Sequence, residues 1–137
     1  MDTGLYVEVQ QFYARQMRLL DENAAAEWAD TFAPDGVFHQ NVAPAPVRGR
    51  DAIAVAAQRR VDELKASGLV RRHWLGMLEV DTRPDDTVWT RYYAFALSTS
   101  PDGEVQLYVS TVNEDVLHRS GDGWLVKDRR VVHDGHR

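Results

Sequence analysis

Cysteine is absent from these 137 residues. That excludes disulfides, thiolate catalysis and cysteine-ligated zinc. No apolar run approaches the roughly 20 residues of a membrane-spanning helix, so no membrane partner is expected. Positive charge is scarce: 16 Lys and Arg stand against 21 Asp and Glu, a formal net charge of −5. Nucleic acids and anionic membranes call for a basic footprint, which this composition does not supply. The opening Met1-Asp2-Thr3-Gly4-Leu5-Tyr6 lacks the basic and apolar regions of a signal peptide, which points to the cytoplasm. No repeat, linker or low-complexity segment divides the chain. Its length suits one domain, residues 1–137, around one core.

What is present falls into two halves. Residues 4–20 have helical spacing: Leu5, Val9, Phe12, Gln16 and Leu19 on one stripe, Tyr6, Val9, Tyr13, Met17 and Leu20 beside it. Asp21-Glu22-Asn23 breaks that helix. A second helix is expected over 24–32, with Trp28 and Phe32 on one face. Pro34 and Asp35-Gly36 stop it and turn the chain into a short strand, 37–39. Residues 40–50 hold Pro44, Pro46 and Gly49 and read as a loop. Asp51 caps or begins a third helix that runs to about Ala66, and Gly68 ends it. From Val70 the period changes to two. Strands are expected at 70–81, 87–98, 104–118 and 123–133, separated by short turns that make neighbours antiparallel. Helices followed by a meander indicate an α+β fold, with the helices packed on one face of a curved sheet.

The stretch Val70 to Val80 carries a histidine among apolar residues. His73, Leu75 and Met77 share one face; Trp74, Gly76, Leu78 and Val80 share the other. Both faces are mostly apolar, so the strand is expected to be covered on both sides. A histidine there must be satisfied by a partner or put to use.

Several segments, in their order and spacing, carry a resemblance. They are Trp28-Ala-Asp-Thr-Phe-Ala-Pro-Asp-Gly-Val-Phe38, Arg48-Gly-Arg-Asp-Ala-Ile53, Arg72-His73 opening a strand, and the hairpin Asn113 to Trp124 followed by Arg129-Arg130. Together they resemble the SnoaL-like branch of the nuclear transport factor 2-like superfamily over nearly the whole chain. The resemblance implies a cone-shaped α+β barrel: three N-terminal helices on a strongly curved antiparallel sheet, with a pocket in its mouth. The superfamily holds polyketide cyclases, dehydratases, isomerases and inert binding domains, so the site must decide the function.

Counting back from Ala33-Pro34, Asp21 falls at the first-helix aspartate of the scytalone dehydratase pattern, and His73 resembles its pocket histidine. Asn113 falls on its pocket asparagine. This implies a cofactor-independent acid–base enzyme acting on an apolar, carbonyl-bearing polyketide-like or aromatic small molecule. A neutral imidazole abstracts a proton near neutral pH, and a carboxylate on one ring nitrogen fixes its tautomer. Asn113, or one of Tyr92 and Tyr93, then donates to a developing enolate oxygen. Only one of those two tyrosines can face inward, because strand neighbours alternate. Tyr13, Gln40, Trp74 and Met77 complete the expected substrate contacts. There are departures. The strand after His73 has no second histidine, and Leu20 stands where the pattern has tyrosine, which argues against scytalone itself. Gln40 occupies the position of the steroid-isomerase base and cannot act as one.

Two alternatives are carried. One is a non-catalytic ligand-binding or structural subunit resembling a ring-hydroxylating dioxygenase β subunit. The minor one is an epoxide hydrolase, with Arg91 and Asp128 imitating part of an Asp-Arg-Asp set. A filled cone favours the first; an open pocket with His73 in reach of Asp21 favours the enzyme. His39 is expected near the pocket mouth or in an exposed loop, His118 before a turn, and His133 and His136 in a polar, mobile tail. No histidine spacing repeats a metal motif, so no metal is expected. Of Arg129 and Arg130, at most one faces inward. By the resemblance, copies pair through the outer sheet face as a homodimer or homotrimer.

Overall fold

A computed structural model describes residues 2–135. Its elements are α1 (Thr3–Asp21), α2 (Ala25–Ala29), β1 (Phe32–Gln40), β2 (Val47–Arg48), α3 (Arg50–Ala66), β3 (Val70–Thr82), β4 (Val88–Thr99), β5 (Val105–Ser120) and β6 (Gly123–His133). The sheet order is β2-β1-β6-β5-β4-β3. The architecture is mixed α+β: a curved six-stranded sheet with helices packed on it. The sheet is not closed. Its two ends, β2 and β3, do not pair with each other.

The helices begin and stop where local chemistry dictates. Asp2 caps α1 by accepting from the Leu5 N–H at 3.0 Å. Asn23, at φ 64°, takes the left-handed turn that ends it, with the Ala24 N–H donating to the Leu19 carbonyl. Gly68, at φ 67°, does the same for α3. Asp51 lies in the first turn of α3, and Gly49 occupies the cap position.

Three departures from the expected elements have physical causes. The second helix is only five residues long. Phe32, expected inside it, already pairs with Val126 as strand. Pro34-Asp35-Gly36 is an irregularity inside β1 rather than a turn before it. The register with β6 shifts between Phe32 and Val37, and proline is tolerated at such a bulge. Gly36 is required there, because an added Cβ would meet the Ala33 carbonyl oxygen at 3.0 Å. Finally, β1 pairs with β6 in parallel, while the remaining pairs are antiparallel. The four long strands of the second half follow the predicted meander, and the expected loop at 40–50 contains the two-residue β2.

Strand β3 is not covered on both sides. It is an edge strand, and Trp74 and Met77 are 70% and 79% exposed. A bulge between Gly76 and Glu79, with Met77 at φ 54°, shifts the alternation. Arg71, His73 and Leu75 are the shielded positions before it; Leu78 and Val80 are shielded after it. Strict period two would have put Met77 inside and Leu78 outside. The core lies between α1, α2, α3 and the concave sheet face, built on Val9, Tyr13, Trp28, Phe32, Val61 and Tyr92.

Candidate active site

A cavity of about 380 Å³ opens between the helices and the sheet. That lies within the range of small-molecule sites. Trp28 and Phe38 stack edge-on at 6.0 Å to form one apolar wall. His73 reaches the cavity from β3, Tyr92 from β4, Asn113 from β5, Arg129 from β6 and Gln40 from β1.

Asp21 and His73 meet. The ring Nδ1 stands 2.7 Å from Asp21 Oδ1, and the His73 backbone N–H donates to both carboxylate oxygens at 3.1 Å. Asp21 is the last residue of α1, where the helix dipole disfavours a negative charge. The hydrogen bonds from β3 offset that cost. A carboxylate only accepts, so Nδ1 carries a proton, and in the neutral form of the imidazole Nε2 keeps its lone pair. Nε2 is the nitrogen left for the cavity.

Beneath the cavity lies a second, closed network. Arg129 Nε donates to Asp115 Oδ1 at 3.0 Å, and its Nη2 donates to Oδ2 at 3.0 Å and to Gln16 Oε1 at 2.6 Å. Tyr13 and Tyr92 both donate to Asp115 Oδ2, at 2.6 and 3.0 Å. Tyr13 has thereby used its hydrogen, so the Thr90 hydroxyl, 2.6 Å away, donates to it. Burial, reinforced by the Asp115 charge, raises the pKa of both phenols well above the ordinary 10.0. Burial alone would lower that of Arg129; the Asp115 charge and hydrogen bonds outweigh it, and the guanidinium is held cationic.

Asn113 is oriented by its neighbour. The Thr111 hydroxyl gives its hydrogen to the Ala94 carbonyl at 2.8 Å, so its oxygen can only accept, and Asn113 Nδ2 donates to it at 3.1 Å. One amide hydrogen and the unbonded Oδ1 remain for a ligand.

The profile of the SnoaL-like domain matches residues 3–130. The chain belongs to the SnoaL-like family. Its similarity to solved structures runs nearly end to end. Aln2 from a Streptomyces species is 32% identical, with a TM-score of 0.91, over 98% of this chain and 94% of that one. ActVI-ORFA from Streptomyces coelicolor is 30% identical, with a TM-score of 0.90, over 98% of each. A Catenulispora acidiphila protein in complex with S-DNPA is 41% identical, with a TM-score of 0.82, over 97% of this chain and 96% of that one. No curated protein matches the chain.

Within this SnoaL-like fold the expected site residues divide. Asp21, His73, Asn113, Gln40 and Tyr92 come together at or behind the cavity wall. Trp74, Met77 and Tyr93 do not; all three are exposed, the first two because β3 is a bulged edge. Tyr13 is buried in the lower network and is not among the cavity-lining residues. Arg91 is exposed, and Asp128 binds His39 at 3.0 Å, so the epoxide-hydrolase set is not assembled. Of the two strand arginines, Arg129 is the buried one. His133 belongs to β6, not to a mobile tail, and contacts Gln40 at 2.9 Å. His118 lies within β5, with Nε2 buried. His136 falls outside the described residues. Among the described residues, no three His, Asp or Glu side chains gather as a metal site.

Sequence reading missed Arg71, Tyr108 and Asp115. Arg71 and Tyr108 line the cavity. Parity carried the signal: Arg71 is two residues before His73, and Asp115 two after Asn113, so each shares a face with a residue already singled out.

Proposed function

We propose that this chain is a cofactor-independent acid–base enzyme acting on an apolar, carbonyl-bearing polyketide-like or aromatic small molecule. The reaction class is dehydration, cyclisation or isomerisation. The observation that carries the reading is the 2.7 Å contact between Asp21 and His73 Nδ1 in the cavity wall. In the neutral imidazole that contact leaves the Nε2 lone pair for a substrate, and His73 lines the cavity, which supports His73 as the base. Asp21 is the positioning residue: it fixes the tautomer and stabilises the imidazolium that forms. The remaining Asn113 amide hydrogen donates to the oxygen on which negative charge develops. Tyr92 shapes the floor but spends its hydrogen on Asp115, so it is not the oxygen's donor. The complex of a relative with S-DNPA supports a small-molecule ligand for this chain.

An inert structural subunit would call for a filled cone, and the open cavity argues against it. The test is deuterium exchange at the carbon next to the carbonyl of an aromatic polyketide analogue, followed by NMR. His73→Ala, checked for folding by circular dichroism, should slow exchange by roughly 10²–10⁴-fold. Undiminished exchange in the folded variant removes the mechanism. We further propose that copies associate as a homodimer or homotrimer through the outer sheet face. Tyr93, Val112 and Val132 are aligned there across β4, β5 and β6, and Tyr93 and Val132 are exposed.

A further inference from the structure

Arg71 lines the cavity and is 7% exposed. Its Nε and Nη2 make no hydrogen bond to any described residue. A buried guanidinium edge without acceptors is costly and rare. Those two nitrogens form the edge that grips a carboxylate side-on, oxygen for nitrogen. The same molecule shows the fit: Arg129 places its Nε and Nη2 on the two oxygens of Asp115, each at 3.0 Å.

Among the described residues, no carboxylate serves this edge of Arg71. Asp21, whose charge it feels, spends its oxygens on His73. The wider lining points the same way. Although the chain is acidic overall, the described residues that line the cavity include Arg60, Arg71 and Arg129 and no Asp or Glu. Arg129 is neutralised by Asp115, and Arg60 binds Glu63 at the exposed rim. Arg71 is thus the cation inside the cavity with no partnered carboxylate among the described residues.

We propose that the ligand of this cavity bears a carboxylate, held bidentately by Arg71 Nε and Nη2. The inference rests on the cavity being the substrate site, and it names the substrate class: an aromatic or polyketide-like acid. Arg71 and His73 lie on one face of β3, about 6.6 Å apart along the strand. The carboxylate and the carbon that loses a proton therefore belong to neighbouring parts of one small molecule. Tyr108, adjacent to Arg71, borders the same end of the cavity.

The test compares naphthylacetate with naphthylacetamide, which match in shape and differ in charge, by calorimetric titration at neutral pH. The acid should bind roughly 10–100-fold tighter. Arg71→Met should remove the preference, and His73→Gln should keep it. In the wild-type protein the Arg71 Nε–H resonance should move downfield with the acid alone, a readout that survives if Arg71→Met does not fold. Equal binding of acid and amide, a preference that persists in folded Arg71→Met, or an unmoved Arg71 resonance overturns the proposal. Failure of the His73 exchange test with the acid preference intact sinks the acid–base reading and leaves this site standing.

Discussion

Two carboxylates meet two cationic or cationisable partners inside one fold, and they are finished differently. Asp115 and Arg129 have side chains 0% and 4% exposed, and Asp115 also receives two tyrosine hydroxyls. Asp21 and His73 are 11% and 17% exposed, and one imidazole nitrogen is left over. A closed network holds its protons; an open one can exchange them. The difference teaches that burial and charge alone do not mark a reactive group. What marks it is an unspent lone pair or hydrogen facing a cavity.

The comparison can be broken at its buried end first. Asp115→Ala leaves the Arg129 charge buried and uncompensated, which should cost about 3–5 kcal/mol of stability in urea titration. A loss below about 1 kcal/mol would mean that water enters the lower network. At the open end, Asp21→Asn should cut turnover about 10²-fold, equivalent to about 2.7 kcal/mol, while stability in the same titration changes little. Comparable losses of stability in both variants would erase the distinction.

The tyrosines sharpen it further. Tyr13 and Tyr92 have raised pKa values in the fold, so they stay neutral while the unfolded chain ionises. Stability from them is fully present below the ordinary value of 10.0 and is lost as pH rises above it. Between pH 10 and 11 the pair should cost about 2 kcal/mol, read as a falling Tm. Two of the five tyrosines should give their tyrosinate absorbance only on unfolding. The smallest effect belongs to neither network. Trp74→Lys on the exposed edge should change stability and turnover within about 0.5 kcal/mol, and a change in sedimentation would identify Trp74 as an interface residue.

The candidate pair was legible because Asp21 and His73 sit in recognisable runs, one before Ala33-Pro34 and one opening a strand. Arg71 was within reach of the same parity argument, but an arginine at a strand start ordinarily reads as solvated. Trp74 and Met77 were misplaced for one reason. Alternation says which residues share a face, but not that a strand lies at a sheet edge or that a bulge at Gly76 reverses the count. The roles of Tyr13 and Tyr92 depended on Asp115, which is distant from Tyr13 in sequence and claims both hydroxyls.

The order of elements, the helix ends at Asn23 and Gly68, and the meander from Val70 were settled by the chain itself, because each depends on local dihedral preference and periodicity. The parallel joining of β1 to β6, the open edge at β3, and the choice of which carboxylate is sealed and which is left partly exposed beside the cavity came only with the three-dimensional arrangement. Those features depend on which distant groups compete for the same hydrogens and lone pairs, and linear spacing does not encode that competition.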